Sequence, residues 1–117
     1  MSLQQTIENI WDNRDLLQKE ESKTAIREVI ALLDKGELRV AEPTENGWQV
    51  NEWVKKAVVM YFPIQKMETI EVGPFEFHDK IPLKKNYAEK GVRVVPHAVA
   101  REGAYISPGV ILMPSYV

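Results

Sequence analysis

The amino-acid sequence predicts an α+β protein in which a small helical N-terminal domain is followed by the start of a left-handed parallel β-helix. Three observations lead to this prediction. Apolar residues recur at helical spacing before residue 64, an Asn46-Gly47 pair separates two short extended segments, and residues 94–117 repeat in sixes. A six-residue period fits neither an α-helix nor an alternating strand, but it is typical of hexapeptide β-helices. Such repeats adopt the left-handed sense, although the spacing itself does not establish it.

Two helices are predicted within the first 36 residues. The first spans residues 3–19, because Ile7, Ile10 and Leu17 recur at helical spacing. The second begins at Ser22, whose hydroxyl can accept a hydrogen bond from a free amide of the first turn. It ends at Asp34-Lys35-Gly36, since glycine tolerates the left-handed conformation that follows many helices.

Two extended segments and a third helix complete the helical N-terminal domain, residues 1–63. Residues 38–41 and 48–50 flank the Asn46-Gly47 pair, which is a strong turn signal. Asn51 is predicted to cap the third helix. Pro63 limits this helix, because the residue before a proline disfavours the helical conformation.

Residues 64–92 are predicted to connect this domain to the β-helix. Gly73-Pro74 interrupts the segment, and Pro82 makes a central strand unfavourable because proline has no amide to donate. Residues 87–90 are predicted to form one helical turn.

Residues 93–117 are predicted to be the first coils of the β-helix, because four hexapeptide rows follow one another without an insertion. The first and fifth columns should point inward, while Pro and Gly in the third and fourth columns suit tight turns. Tyr116 fits its column least well and is expected at a widened corner, at a subunit contact or as an aromatic at the rim. The inward columns are Val94, Ala100, Ile106 and Leu112, and Ala98, Ala104, Val110 and Tyr116.

The hexapeptide pattern is still in register at Val117. Each coil of a solenoid covers the apolar column of its neighbour. We therefore expect this chain to be the front part of a larger protein. The alternative to a repeat is a loop rich in Pro and Gly whose spacing is accidental. That alternative requires four consecutive rows of six residues to share one pattern by chance.

Composition argues against several classes of protein. Apolar residues make up 44% of the 117 residues, enough for a folded core, and the formal net charge of −2 argues against a nucleic-acid partner. No apolar run is long enough to span a membrane, and the polar N-terminus does not resemble a signal peptide. The chain has no cysteine, which excludes disulfides and thiolate metal ligands within it. We expect a cytoplasmic protein.

Six segments carry a family resemblance. They are residues 91–96, 101–106 and 112–117 in the repeat tract, and residues 29–42, 53–58 and 79–84 upstream. Together they resemble the tetrahydrodipicolinate N-succinyltransferases. The resemblance covers nearly the whole chain but only the first part of the family's usual length. The hexapeptides alone would indicate only some acyltransferase, so the upstream segments make the resemblance specific.

The resemblance implies a bacterial enzyme of lysine and diaminopimelate synthesis. It would transfer a succinyl group from succinyl-coenzyme A, a co-substrate, to tetrahydrodipicolinate, with no tightly bound cofactor. Members of the family are homotrimers with active sites between neighbouring subunits, and we expect neither a nucleic acid nor a membrane as a partner. The catalytic acidic residues and most groups that hold coenzyme A are expected beyond Val117, so none is assigned here.

Arg93 is the one substrate-binding residue that the resemblance implies in this chain. The acceptor carries two carboxylates, and a guanidinium can bind a carboxylate through two parallel hydrogen bonds. The alternative for Arg93 is a surface salt bridge of little energetic value. Arg101, in the second column, is expected to point outward to solvent or to another subunit.

The remaining candidates are expected to have structural or solvent-exposed roles. His97 is a possible general base, but exposure at a corner is the simpler interpretation, and His78 is expected in the connector. No metal site is predicted, because two histidines without a third ligand are a weak signal. Lys84 and Lys85 are expected to be a solvated pair rather than a phosphate site. The three tryptophans, Trp11, Trp48 and Trp53, are expected to pack in the N-terminal domain.

Two other functions remain open at this point. The chain could be a non-catalytic trimerisation or interaction module, which would form a discrete soluble assembly by itself. It could also belong to a hexapeptide acyltransferase with another donor or acceptor, which competition between labelled donors would reveal.

Overall fold

The computed structural model describes residues 1–117 and has an α+β architecture with short strands. The helices are α1 (Leu3–Asp12), a 3₁₀ helix (Arg14–Gln18), α2 (Glu20–Asp34), α3 (Glu52–Ile64) and α4 (Tyr87–Lys90). The strands are β1 (Ala41–Thr44), β2 (Gly47–Val50), β3 (Glu68–Val72), β4 (Phe75–Asp79), β5 (Arg93–Val94) and β6 (Ile111–Leu112).

The first predicted helix is shorter than expected. A capping box between Ser2 and Gln5 starts α1, which ends at Asp12, and the predicted remainder to residue 19 is largely the 3₁₀ helix. Arg14 lies outside α1 and stacks on Trp11, with its guanidinium carbon 3.9 Å from the centre of the indole ring. The single continuous helix over residues 3–19 is therefore wrong.

Helix α2 starts before the predicted cap. It begins at Glu20, so that Ser22 lies within the first turn and is buried, and the prediction of Ser22 as N-cap is wrong. Ser22 shares a face with Ile26, Val29 and Leu33, and packing of that face draws the serine into the core. The end of α2 at Asp34 and the left-handed Gly36, with φ of +77°, are as predicted.

A turn joins β1 to β2 in an antiparallel hairpin as predicted, but it lies at Glu45-Asn46, and Gly47 already pairs with Thr44. The first strand accordingly covers Ala41–Thr44 rather than residues 38–41. Trp48 on this hairpin is 69% exposed, so its expected packing in the domain is wrong. Trp11 and Trp53 do pack against the core. Asn51 is the N-cap residue of α3 as predicted, and its carbonyl oxygen accepts from the Val54 amide at 3.0 Å. Its side chain makes no capping hydrogen bond and donates instead to the Arg39 carbonyl oxygen at 2.8 Å. The helix includes Pro63 and ends at Ile64.

An antiparallel hairpin of β3 and β4 was not predicted within residues 64–92. Gly73 and Pro74 form its turn, and Ile70 pairs with Phe77. The hairpin stands away from the core, because all of its apolar side chains are at least 37% exposed. The predicted helical turn at residues 87–90 is confirmed as α4.

The repeat tract forms a parallel ladder. Arg93 pairs with Ile111 and Val94 with Leu112, a separation of 18 residues, or three hexapeptides. A second parallel contact joins Val99 to the last residues, since the Val117 amide donates to the Val99 carbonyl oxygen at 2.9 Å. One full turn of three rows therefore brings the tract back beside itself.

Two hydrophobic clusters stabilise the chain. The larger cluster joins α1, α2 and α3 and also includes Ile81. The smaller one surrounds Val92, Ala100 and Leu112 and contains the whole first column of the repeat, together with Ala98 and Val110. Tyr116, 68% exposed, departs from the inward pattern. The division into residues 1–63, 64–92 and 93–117 stays a prediction.

Candidate functional site

A short antiparallel contact fastens the connector to the repeat tract. The Lys84 amide donates to the Ala100 carbonyl oxygen at 2.9 Å, and the Glu102 amide donates to the Pro82 carbonyl oxygen at 2.8 Å. Leu83 and Arg101 face each other across this bridge. The contact brings charged residues of both segments against the ends of α2 and α3.

Asp34, the last residue of α2, is the centre of this junction. Its Oδ1 accepts from Lys84 Nζ at 2.5 Å and from the Gly103 amide at 2.9 Å. Burial alone would raise the pKa of Asp34, but these two hydrogen bonds, together with the positive charges of Lys84 and Lys90, outweigh it and hold the pKa below its ordinary value. The Lys84 side chain is only 4% exposed, so its predicted place in a solvated pair is wrong; Lys85 is exposed as expected.

A second contact joins α3 to the same turn of the repeat. The Tyr61 hydroxyl donates to Glu102 Oε1. Burial, the hydrogen bond and the nearby carboxylate all raise the pKa of Tyr61, because each disfavours the phenolate. Tyr61 is therefore a neutral donor throughout the physiological range of pH.

Arg101 pairs with a carboxylate of its own chain instead of facing solvent, contrary to one of its two predicted positions, and its contact with another subunit stays a prediction. Its Nη2 lies 3.1 Å from Asp79 Oδ2, and its Nε is buried without a hydrogen-bond partner. The pKa of Asp79 is lowered chiefly by a hydrogen bond from the Lys80 backbone amide. The positive charge of Arg101 and the Ile81 amide lower it further. Arg101 thus joins the end of β4 to the repeat tract.

An apolar groove of about 340 Å³ lies beside these contacts. Ile30 and Leu33 of α2, Phe62 of α3, and Ala104 and Tyr116 of the repeat tract contribute to its walls. The charged groups at its edge, Arg101 and Glu102, already have partners within the chain. The junction therefore positions segments and offers no free acid or base.

Arg93 is the candidate site residue that remains available. It is exposed at the start of β5, and its backbone amide donates to the Val110 carbonyl oxygen at 3.1 Å. Its guanidinium forms no ion pair or hydrogen bond with the chain, so the surface salt bridge considered for it is absent. The ladder thus presents an uncompensated cation on the repeat tract. A guanidinium in this setting can bind a carboxylate through two hydrogen bonds.

Neither histidine belongs to the β5–β6 ladder. The His97 ring is exposed and meets the Phe75 ring edge-on at 6.0 Å between ring centres. His78 Nδ1 lies 2.9 Å from Thr69 Oγ1 on the β3–β4 hairpin.

The chain contains no cluster of three or more His, Cys, Asp or Glu residues arranged to hold a metal ion. None of its helices combines the length and apolarity needed to cross a bilayer.

Sequence reasoning missed the contacts at the junction. Asp34 was identified only as part of a helix end, and Tyr61 was not singled out. Each meets a partner far along the chain: Lys84 is 50 residues from Asp34, and Glu102 is 41 residues from Tyr61. The residues next to a tyrosine or an aspartate in the sequence contain no signal that identifies such a distant partner.

Comparison with known families accounts for the α-helical part of this arrangement. The family model described as "Tetrahydrodipicolinate N-succinyltransferase N-terminal" matches residues 2–64, more than half of the chain. The chain belongs to this family. The match spans α1, α2, the β1–β2 hairpin and α3, which are the elements that contain Asp34 and Tyr61.

Similar proteins extend the match through the repeat tract. A 2,3,4,5-tetrahydropyridine-2,6-dicarboxylate N-succinyltransferase of Bordetella petrii is 47% identical over 127 aligned positions, which cover 100% of this chain and 46% of that protein. Enzymes of the same name from Pseudoalteromonas translucida and Legionella pneumophila (strain Paris) are 43% and 44% identical, over 98% and 99% of the chain and 45% and 46% of their own lengths. This member of the succinyltransferase family thus spans about half the length of the curated relatives it matches.

Proposed function

We propose that the protein to which these residues belong transfers a succinyl group from succinyl-coenzyme A to the nitrogen of tetrahydrodipicolinate. The product would be N-succinyl-2-amino-6-oxopimelate, in lysine and diaminopimelate synthesis in the cytoplasm. The observation that carries this proposal is the match of the entire chain to enzymes named for that transfer. Residues 1–117 would be the amino-terminal part.

The repeat tract would continue as a left-handed parallel β-helix in a homotrimer. The 18-residue separation between paired residues supports this proposal, because three hexapeptides make one coil with three sides. The apolar first column, which lies in one cluster, supports it as well. The catalytic acidic residues and the groups that hold coenzyme A would lie beyond Val117.

Arg93 would bind one carboxylate of the acceptor. Its guanidinium is exposed and has no carboxylate partner in the chain, and the parallel ladder fixes its backbone. The charge and planar shape of the guanidinium complement a carboxylate and would fix the orientation of the acceptor. This role concerns binding and orientation, and it involves no proton transfer by Arg93.

The test is steady-state kinetics on the complete protein with Arg93→Ala. We expect the KM for tetrahydrodipicolinate to rise by about tenfold or more, because a charge-assisted bidentate contact is lost. The KM for succinyl-coenzyme A should change by less than about twofold. Arg39→Ala is a matched control, since Arg39 is also an exposed arginine but lies before the β1–β2 hairpin.

Two results would contradict the proposal. An equal rise in both KM values would indicate damage to the fold rather than loss of acceptor binding. A wild-type enzyme that prefers acetyl-coenzyme A to the succinyl donor would show that the transferred group is different.

A further inference from the structure

A polar cleft of about 730 Å³, separate from the apolar groove, lies between α2, the link from α3 to β3, and the segment after β4. Six cationic side chains and three carboxylates line it, a net charge of +3 in a chain whose formal net charge is −2. The cations are Lys23, Arg27, Lys66, Lys80, Lys84 and Lys85, and the carboxylates are Glu20, Glu68 and Asp79.

Ion pairs within the chain do not remove this excess. Lys23 lies 3.6 Å from Glu20, Lys84 is neutralised by Asp34, and Asp79 is neutralised by Arg101. Four cations then face one remaining carboxylate, that of Glu68. We call the surface formed by Arg27, Lys66, Lys80 and Lys85 the basic cleft.

Neutral acceptors hold two of these cations in place. Arg27 Nη2 donates to Gln65 Oε1 at 3.3 Å, and Lys80 Nζ donates to the Phe62 carbonyl oxygen at 3.1 Å. Gln65 also donates to the Lys80 carbonyl oxygen at 3.3 Å, so that it bridges α2 and the segment after β4. Because no carboxylate shares these bonds, the positive charges stay available to a ligand.

We propose that the basic cleft binds a small phosphorylated ligand through its phosphoryl groups. A phosphoryl group carries a charge of about −1.5 to −2 at neutral pH, so that one or two of them match the cleft. The volume is in the range of small-molecule sites, which is roughly 300–1,000 Å³. The negative net charge of the chain argues against a long nucleic acid as the ligand, because a long polyanion would also face the acidic remainder of the surface. This site is distinct from Arg93 and does not depend on succinyl transfer.

The test is calorimetric titration of the complete protein with inorganic pyrophosphate, ADP and citrate. The variant Lys66→Gln/Lys85→Gln removes two exposed cations whose side chains form no hydrogen bond or ion pair within the chain, which spares the fold. Lys19→Gln/Lys35→Gln removes two exposed lysines that lie outside the cleft and form no ion pair, and is the matched control. We expect the cleft variant to bind pyrophosphate about tenfold more weakly and the control to bind it as the wild type does.

The three ligands separate the sources of the phosphoryl group. Tighter binding of ADP that the cleft variant weakens would identify a nucleotide, whereas equal binding of pyrophosphate and ADP would identify the phosphoryl groups alone. If citrate binds as tightly as pyrophosphate, the cleft recognises anions in general, and the proposal of a phosphorylated ligand is overturned. Absence of binding, or an equal loss in the cleft and control variants, would overturn the site itself.

Discussion

Asp34 joins three parts of the molecule through one carboxylate. It ends α2, pairs with Lys84 of the connector and accepts from the Gly103 amide of the repeat tract. The buried Lys84 ammonium has no other carboxylate partner, so removal of the Asp34 charge would leave it uncompensated. At the scale of the residue, the stability of the chain is therefore sensitive to the charge of Asp34.

We expect Asp34→Asn to lower the free energy of unfolding by roughly 2 kcal/mol at pH 7, since it breaks a largely buried charge-assisted hydrogen bond. The folded-state pKa of Asp34 is below the unfolded value of 3.8. The stabilisation is therefore fully present above about pH 4 and is lost as the pH falls further, through the folded-state pKa. Chemical unfolding of the complete protein between pH 7 and pH 3 measures both effects.

Asp12→Asn is the control for this prediction. Asp12 is exposed at the end of α1 and forms no ion pair. A difference between wild type and Asp34→Asn that stays constant down to pH 3 would show that the ion pair is not its origin.

At the scale of the element, the end of α2 and the turn after Gly103 fit closely together. Gly36 adopts φ of +77°, and a Cβ atom there would lie 2.8 Å from Cγ of Tyr105. Glycine is therefore required at position 36 for two reasons. The backbone is left-handed there, and the Tyr105 ring leaves no room for a side chain. The helix end cannot move away freely, because Asp34 holds it to Gly103.

We expect Gly36→Ala to destabilise the protein more than Gly73→Ala. Gly73 has φ of +58°, and a Cβ atom there would meet nothing within 4 Å, so its substitution measures the backbone cost alone, about 1 kcal/mol. Thermal unfolding of both variants gives the comparison. In a Tyr105→Ala background the excess cost of Gly36→Ala should disappear, and an excess that persists would rule out the ring as its cause.

At the scale of the whole molecule, two hydrophobic clusters are linked by polar contacts. The larger lies among the helices and the smaller inside the repeat tract. Between them lie the pairs of Asp34 with Lys84, Tyr61 with Glu102, and Asp79 with Arg101. The relative placement of the helices and the coil that presents Arg93 therefore depends on a few directional bonds.

We expect Tyr61→Phe to loosen this junction while it leaves the helical cluster intact. The ring stays in the core, but Glu102 loses its donor, at a cost of about 1–2 kcal/mol. Amide hydrogen exchange of the complete protein should speed up at residues 99–104 and not within α1. Tyr116→Phe is the control, since Tyr116 is exposed and its hydroxyl makes no hydrogen bond. Faster exchange throughout both regions would contradict a local effect.

Sequence reasoning succeeded where a feature depends on a few neighbouring residues. The hairpin turn beside Gly47, the end of α2 just before Gly36 and the helical turn at residues 87–90 were all predicted. It failed for the β3–β4 hairpin, because its apolar residues remain exposed and Pro74 interrupts the pattern. For the candidate site, Arg93 was identified through a family resemblance, and its lack of an ion-pair partner became visible only in the structure.

The sequence by itself determined the six-residue register of residues 94–117, the approximate positions of the helices and the family to which they belong. These features depend on periodicity and on motifs a few residues long, so they can be recognised without knowledge of the fold. Only the tertiary structure decided that Lys84 is buried against Asp34, that Arg101 faces Asp79 and that four cations share a cleft with a single unpaired carboxylate. Such pairings join residues far apart along the chain, and their electrostatic value depends on the burial and distance that folding creates.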